Sequence, residues 1–562
     1  MNNKKGLNKN VILIVDLVVF LLFAAGLYYY SCPAMNIHSV GCWAYLGTLL
    51  FAFCLLLSLT MGGFTVFKIK KNSFEMKMTK FGHRLWAVFG ILIILQLVLA
   101  GLSGRFFHAK AYSQILTVTE GSTEDMPSVE GADAIALMDT ASAIKLGDRE
   151  IGSLNEVVSQ YELGYDYTQL NIGNRPVKVA PLSYAGFFKW INNRGNGVPG
   201  YVMVDPVSMD ASYTKLDQGM TYVPSGYFGD NLYRHIRFGY PTVIFEDPHF
   251  EVDEEGNPWF VAPVVQYSIG VFGGEKITGA ILIDPISGNM TRYALADVPA
   301  WVDVVIPGDL ICTQYNNYAQ LQSGYWNSVI GQNGCRKVTE SSEEEGASDY
   351  GYIAMNDDIY IYTGVTSVNG DSSNIGFIIA NERTGETKFI ACSGADEFSA
   401  MSAAEGEVQE KGYRASFPSL ITVDDTPTYI MVLKDKSGLV KMYACVNVQQ
   451  YNLVVTSTSQ ADCIAKYRAL LAGKITAEQA NDESVVVETS SDVDLSAYEK
   501  KTITITRMET IDRNGNTYLY IVDEQDNIYY AQYVDVIDML LVEPGDTITI
   551  LEKDGAFRYP AN

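Results

Sequence analysis

The chain is 562 residues long, 48% hydrophobic and 12% aromatic, which excludes disorder, collagen and coiled coil as global descriptions and suggests three or four folded units. Its net charge of −25 is unevenly spread: residues 1–104 carry nine Lys/Arg against Asp16 and Glu75, a balance of +7, and the remainder carries −32. A body this acidic lacks the clustered Lys/Arg that follow a phosphate backbone, so nucleic acid is not an expected partner.

Three apolar runs open the chain, from Val11 to about Tyr30, from Trp43 to about Met61 and from Leu85 to about Ser103. Each is near the roughly 20 residues a helix needs to cross the hydrocarbon of a bilayer. A second run follows the first almost at once, which reads as a retained span and not as a cleaved signal peptide. The first ten residues hold three Lys and the loop Gly62–Arg84 holds six Lys/Arg, whereas Ser31–Cys42 holds none. By the positive-inside rule the N-terminus is cytoplasmic, and everything after residue 105 lies outside the cytoplasm. Residues 1–104 are thus read as a three-helix anchor in a bacterial cell membrane. Asp16, inside the first run, reads as meeting water or Lys9, with a transport role as the alternative.

Residues 105–135, rich in Ser, Thr, Glu, Asp and Gly, read as a stalk or linker. A first α+β unit is expected over 136–240, with Asp139-Thr140 capping a short helix. Two segments then align without gaps at an offset of 97: GAILIDPISGNMTRYAL (279–295) and GFIIANERTGETKFIAC (376–392). Each is an apolar strand, a turn opened by Asp284 or Asn381 and closed by Ser287-Gly288 or Thr384-Gly385, and a second strand. Asp or Asn can cap such a turn with its side chain, and Gly supplies positive φ. Weaker echoes stand at 200 (GYVMVDPVSMDASYT) and 439 (LVKMYACVNVQQYNLV). Helix-like stretches follow the hairpins, so repeated strand–strand–helix units are expected over 241–345 and 346–478, helices covering one face of antiparallel sheets. Residues 479–499 read as a linker. Residues 500–562 read as five short strands around an Asn514-Gly515 turn and resemble a small OB-like β-barrel.

The hairpin opening on Asp-Pro-x-Ser/Thr-Gly and followed by a helix resembles the PepSY-type module of secreted and membrane-attached bacterial proteins, over roughly 240–475. With the three spans, the chain is similar to three-span envelope proteins of Gram-positive anaerobes. The resemblance implies an extracytoplasmic location and contact with a protein or peptide, sometimes restraint of a peptidase, and it carries no catalytic residue across. The first and last copies lack the Ser/Thr-Gly step.

Chemistry-bearing motifs are few. The cysteines at 32, 42, 54, 312, 335, 392, 445 and 463 show no CxxC spacing. Cys32 with Cys42, and Cys312 with Cys335, are candidate disulfides outside the membrane; Cys54, Cys392, Cys445 and Cys463 read as buried. The densest polar cluster, EDPHFEVDEEGN (246–257), reads as a solvated turn or, alternatively, as a weak calcium site using Asp247, Glu251, Asp253 and Glu255. It lacks an EF-hand register. Five histidines, His38, His83, His108, His235 and His249, are too few and too scattered to suggest a nucleophile–base pair, and His235 reads as lying on a solvated helix. No GxSxG, HExxH or P-loop is found. The resulting reading is α+β throughout the outer region and non-catalytic, with no cofactor beyond weakly held calcium. It is a membrane-anchored binding or scaffold protein for a protein, peptide or cell-wall partner. Alternatives are an accessory subunit of a transport or secretion complex and an envelope hydrolase using unrecognised acids.

Overall fold

The computed structural model describes residues 9–61, 64–69, 73–128, 135–154, 157–164, 166–340, 350–368, 373–482, 485, 499–513, 516–533, 536, 539, 542, 544–553 and 555–559. They fall into two compact units, 1–207 with 211–481, and 482–562 with 208–210.

Three helices, Asn10–Ser31, Val40–Thr60 and Lys80–Leu102, are long and apolar enough to cross a membrane. Ser39 and Thr79 cap the second and third by accepting from the amides of Cys42 and Gly82. The helices hold one another through ring contacts and a few polar bonds: Phe20 meets Phe53 at 5.1 Å, and the Trp86 indole donates to Ser58 at 3.2 Å. The Thr60 hydroxyl donates to the Asp16 carboxylate at 2.6 Å, so the acid in the first helix is engaged by the second. Between the second and third helices, strands Phe64–Ile69 and Ser73–Met78 form a hairpin where the sequence reading had only a loop.

Four antiparallel sheets follow, all with one plan. Two short strands pair in line with one long strand, which pairs with a second long strand, which pairs with a last one. In the second sheet Ile244–Phe245 and His249–Val252 pair with Pro258–Ile269, then come Gly273–Ile283 and Met290–Ala294. The third uses Arg336–Val338, Gly351–Met355, Asp358–Ser367, Ser373–Asn381 and Thr387–Ala395. The fourth uses Arg414–Ala415, Ser419–Val423, Thr426–Lys434, Val440–Asn447 and Val454–Ser457. The first uses Tyr161–Leu163, Thr168–Ile172, Arg175–Tyr184, Val198–Asp205 and Asp210–Met220, with helix Phe187–Asn193 inserted into its central connection.

The Asx cap expected at the strong copies operates in all four, and the left-handed closing residue in three. Asp205, Asp284, Asn381 and Asn447 each accept from the amide two residues on, at 2.8, 2.8, 2.9 and 2.9 Å. Gly288 and Gly385 take φ +77, and in the first copy Met209 holds the same left-handed position at φ +60. The echo at 200 therefore forms the same turn, with Met in place of Gly at the left-handed position.

Helix Gln460–Leu471 lies against the fourth sheet, as expected, with Tyr467 meeting Thr428 and Cys463 meeting Cys445, whereas two further helices are each shared between two sheets. Helix Gly308–Leu321 puts Ile311, Cys312, Tyr315 and Ala319 into a core shared by the second sheet (Val261, Leu282) and the third (Ile361, Ile378, Phe389). Helix Glu397–Glu407 puts Ala400 and Ala404 between the other face of the third sheet (Phe377, Ile379, Ile390) and the fourth (Tyr429, Met431, Ala444). A strand buried on both faces needs apolar residues at every position, which is why Tyr429–Leu433 is a continuous run with no exposed member. The segment read as a stalk is likewise built in: strand Val118–Gly121 adds in parallel to Thr387–Ala395, and Ser128 bridges Thr422.

The second unit contains a closed five-stranded barrel. Strands Glu499–Arg513, Asn516–Asp523, Ile528–Gln532, Ala556–Arg558 and Thr547–Lys553 neighbour one another in that order, and the last closes on the first. This 1-2-3-5-4 order is that of the expected OB-like barrel. The Asn514-Gly515 turn, and the expected linker apart from residues 479–482, Val485 and Glu499, lie outside the described residues.

A buried carboxylate junction as the candidate functional site

The densest set of buried ionisable groups lies where the first three sheets meet. Glu251, on strand His249–Val252, has no exposed surface. Its carboxylate accepts from the amides of Asp303 and Val304, both at 3.1 Å, and faces the His249 ring nitrogen at 2.9 Å. Asp303, in the loop before helix Gly308–Leu321, accepts from the amide of Asn171 on the first sheet at 2.7 Å. Asn171 in turn reaches the backbone oxygen of Asp358 on the third sheet at 3.5 Å. Asp358 is held by Arg383 through two bonds of 2.6 and 2.7 Å and by Asn381 at 2.9 Å. Glu382, between them in the third-sheet turn, receives the amides of Val305 and Ile306 on its backbone oxygen at 3.1 and 2.7 Å.

Burial governs the charge states. It pushes Asp303 up to about 9, with the Glu251 carboxylate adding to the effect, and it pushes Glu382 up to about 8. Lys178, on the first sheet with its side chain 5.4 Å from the Tyr352 ring centre, is brought down to about 8 by the same loss of water. One oxygen each of Asn171, Asp303 and Glu382 is buried without a hydrogen-bond partner. The unpartnered oxygens of Asp303 and Glu382 can carry a proton without displacing a hydrogen bond. At neutral pH the junction is thus a proton-holding joint that ties three sheets together. Asp139 extends it: the carboxylate caps helix Thr140–Gly152 through Ser142 at 2.9 Å and pairs with Lys434 of the fourth sheet. Burial acts to raise Asp139, and the Lys434 and Ser142 bonds more than offset it.

Of the four residues proposed for calcium, Glu251 belongs to this junction and Asp253 closes the next turn, whereas Asp247 and Glu255 are exposed. Asp253 accepts from the amides of Glu255 and Asn257 at 3.1 and 2.8 Å, the Asn257 side chain at 3.0 Å and the Trp259 indole at 3.0 Å. Asp523-Glu524-Gln525-Asp526-Asn527-Ile528-Tyr529 in the barrel repeats the pattern. There Asp523 accepts from Gln525, Asn527 and its side chain, and the Tyr529 hydroxyl, at 2.8 to 3.0 Å. The sequence Asp-Glu-x-x-Asn-x-aromatic therefore encodes a self-closed turn that uses the carboxylate oxygens internally. Among the described residues no three His, Cys, Asp or Glu are grouped to hold a metal ion.

His235 does not lie on a solvated helix. Its ring stacks on Tyr222 at 3.9 Å and its Nε2 is 2.7 Å from the backbone oxygen of Gly288. All eight cysteines are free thiols, so neither proposed disulfide is formed, and the closest pair is instead Cys445 and Cys463, with sulfurs 3.6 Å apart. Sequence reasoning missed Asn171, Lys178, Asp303, Asp358 and Glu382 altogether. Asn171 stands 132 and 187 residues from its partners Asp303 and Asp358, and no local pattern signals such a meeting. The sequence matches no protein-family model and no curated protein.

Proposed function

We propose that the chain is a membrane-anchored, extracytoplasmic scaffold that acts without catalysis, presenting its sheets and barrel to a protein, peptide or cell-wall partner. One observation carries this reading: the large region is bonded to the ends of the helices and does not hang from a flexible tether. The Ser103 hydroxyl at the end of the third helix accepts from the amides of Val271 and Phe272 at 2.9 and 3.2 Å. Beyond the first helix, Cys32 accepts from the Arg237 guanidinium at 3.0 Å, the Met35 amide donates to Pro241 at 2.8 Å and the Asn36 side chain donates to Thr242 at 3.1 Å. A platform fixed to its anchor and stiffened by helices between sheets suits positioning of a partner at a set height above the membrane. The lysine asymmetry of the loops supports the outward orientation. The Asp-Pro-x-Ser-Gly hairpin followed by a helix supports a PepSY-type ancestry for the sheets. Asp16, engaged by Thr60 inside the bundle, supports an anchor over a conduction path.

Protease added to intact cells tests the orientation: residues after 105 are digested there if the reading holds, and survive until lysis if it is wrong. Crosslinking in intact cells, with mass spectrometry of the captured neighbour, tests the scaffold role. Turnover of peptides or wall fragments by the purified full chain overturns it.

A further inference from the structure

The surface beside the helix ends carries apolar side chains that are exposed among the described residues. Near the end of the first helix, Phe238 packs on Tyr28 and Tyr29 at 6.1 and 6.2 Å, and Arg234 lies 4.3 Å over the Tyr29 ring. Arg234 also donates to the backbone oxygen of Phe228, whose ring is 6.3 Å from Phe187 on helix Phe187–Asn193. Phe188 on that helix is 77% exposed, and Phe187, Ile191, Phe228 and Phe238 are exposed as well. A second patch continues from the third helix. Helix Arg105–Tyr112 follows it after two intervening residues, and Phe106 meets Tyr325 and Trp326 at 5.2 and 5.8 Å. Trp326 is 63% and Ile330 74% exposed, with Phe107 and Val329 open beside them.

We infer that these two patches form a lipid-seating surface: the first sheet's inserted helix and the Trp326–Ile330 turn dip into the boundary between headgroups and acyl chains of the membrane that the anchor crosses. Continuity with the helix ends names the occupant. The first patch touches Tyr28 and Tyr29 at the end of the first helix, and the second is seated on Phe106, four residues past the end of the third, so the lipid surrounding those helices reaches both. The residue types agree, because Trp, Phe and Ile beside basic side chains are what a membrane interface selects. Arg105, Lys110 and Lys189 lie on the same two short helices in a region whose overall balance is −32, placing cations where lipid phosphates would be. Phe187–Asn193 is also the element that interrupts the first sheet's hairpin and, among the described residues, has no counterpart in the other three sheets.

The inference rests on the helices crossing a bilayer, and the test separates the two. Phe188→Cys, Ile330→Cys, Ile91→Cys in mid-helix and Tyr451→Cys on the fourth-sheet turn are each placed in a Cys32→Ser background. Each is labelled with an environment-sensitive fluorophore, and the full chain is reconstituted in vesicles of phosphatidylethanolamine and phosphatidylglycerol. Labels at 188 and 330 are expected to be quenched by lipids spin-labelled near the carbonyl, and to resist aqueous iodide several-fold better than the label at 451. If labels at 188 and 330 meet iodide as freely as 451 while 91 is quenched from the acyl region, the seating surface is refuted and the spans stand. If 91 is also open to iodide, the spanning reading itself fails. Protection at 188 and 330 that appears only when a protein fraction is added overturns lipid in favour of a protein partner.

Discussion

Replacing Asp303 by Asn probes the junction most directly. The carboxyl is 2% exposed and its pKa is raised from 3.8 to about 9, whereas in the unfolded chain it ionises near its ordinary value. Between those two values folding must take up a proton, so this group's contribution makes stability fall as pH rises, levelling off only above about pH 9. Each unit of pH in that window costs about 1.4 kcal/mol. At pH 7, some three units above the unfolded value, the proton uptake costs about 4 kcal/mol, and at pH 5 about 1.5 kcal/mol. Asparagine keeps an oxygen for the Asn171 amide and never needs the proton. Asp303→Asn is therefore expected to melt higher than the wild type at pH 7, with the difference shrinking towards pH 5. Trp301 packs on Trp259 at 5.5 Å, two residues from the substitution, so tryptophan emission of the detergent-purified full chain includes a contribution from this region and follows its melting. Taking the difference between variant and wild type at each pH cancels the shared groups that do not interact with Asp303 and leaves its own titration together with its coupling to Glu251. A variant less stable than the wild type at both pH values, with an unchanged slope, would falsify the protonated junction and mean that Asp303 is ionised and satisfied in the fold.

Ser103→Ala removes the acceptor of two amides at the joint between third helix and second sheet, and is expected to cost about 1–3 kcal/mol. Hydrogen exchange at Val271 and Phe272 should accelerate while the fourth sheet is unchanged. Asp253→Ala strips the turn of the five bonds its carboxylate accepts, including that from the Trp259 indole. A loss of about 2 kcal/mol is expected, equal in chelator and in calcium, if the oxygens serve the turn. A loss confined to calcium-containing buffer would show a bound cation instead. Cys445 and Cys463 are fully buried and 18 residues apart. Refolding with oxidised glutathione is expected to convert the two thiols to one disulfide, releasing two reduced glutathiones. Closing a loop of that size should raise stability by about 3 kcal/mol. An unchanged thiol count in denaturant after that treatment contradicts it.

How far the sequence reached depends on how local each cause is. The Asp284 and Asn381 turns were legible because the capping bond spans two residues. The first copy was faint because Met209 occupies the left-handed position that Gly288 and Gly385 fill elsewhere. The two-strand halves around 283 and 380 were readable, but their two-sided burial was not, since a run such as Tyr429–Leu433 looks the same whether a helix or another sheet lies on the second face.

The apolar length of the three helices, the lysine bias of their loops, the Asx turns and the barrel's strand spacing follow from neighbours in the chain, and the amino-acid order alone determined them. Which helix lies between which sheets, the meeting of Asn171, Asp303, Asp358 and Glu382, the bonding of Ser103 to the 269–273 hairpin and the apolar seats at Phe188 and Ile330 were decided only by tertiary structure. Those features arise from contacts across scores to hundreds of residues, where one-dimensional periodicity carries no address. Their energy comes from excluding water at places that exist only once the chain has closed around them.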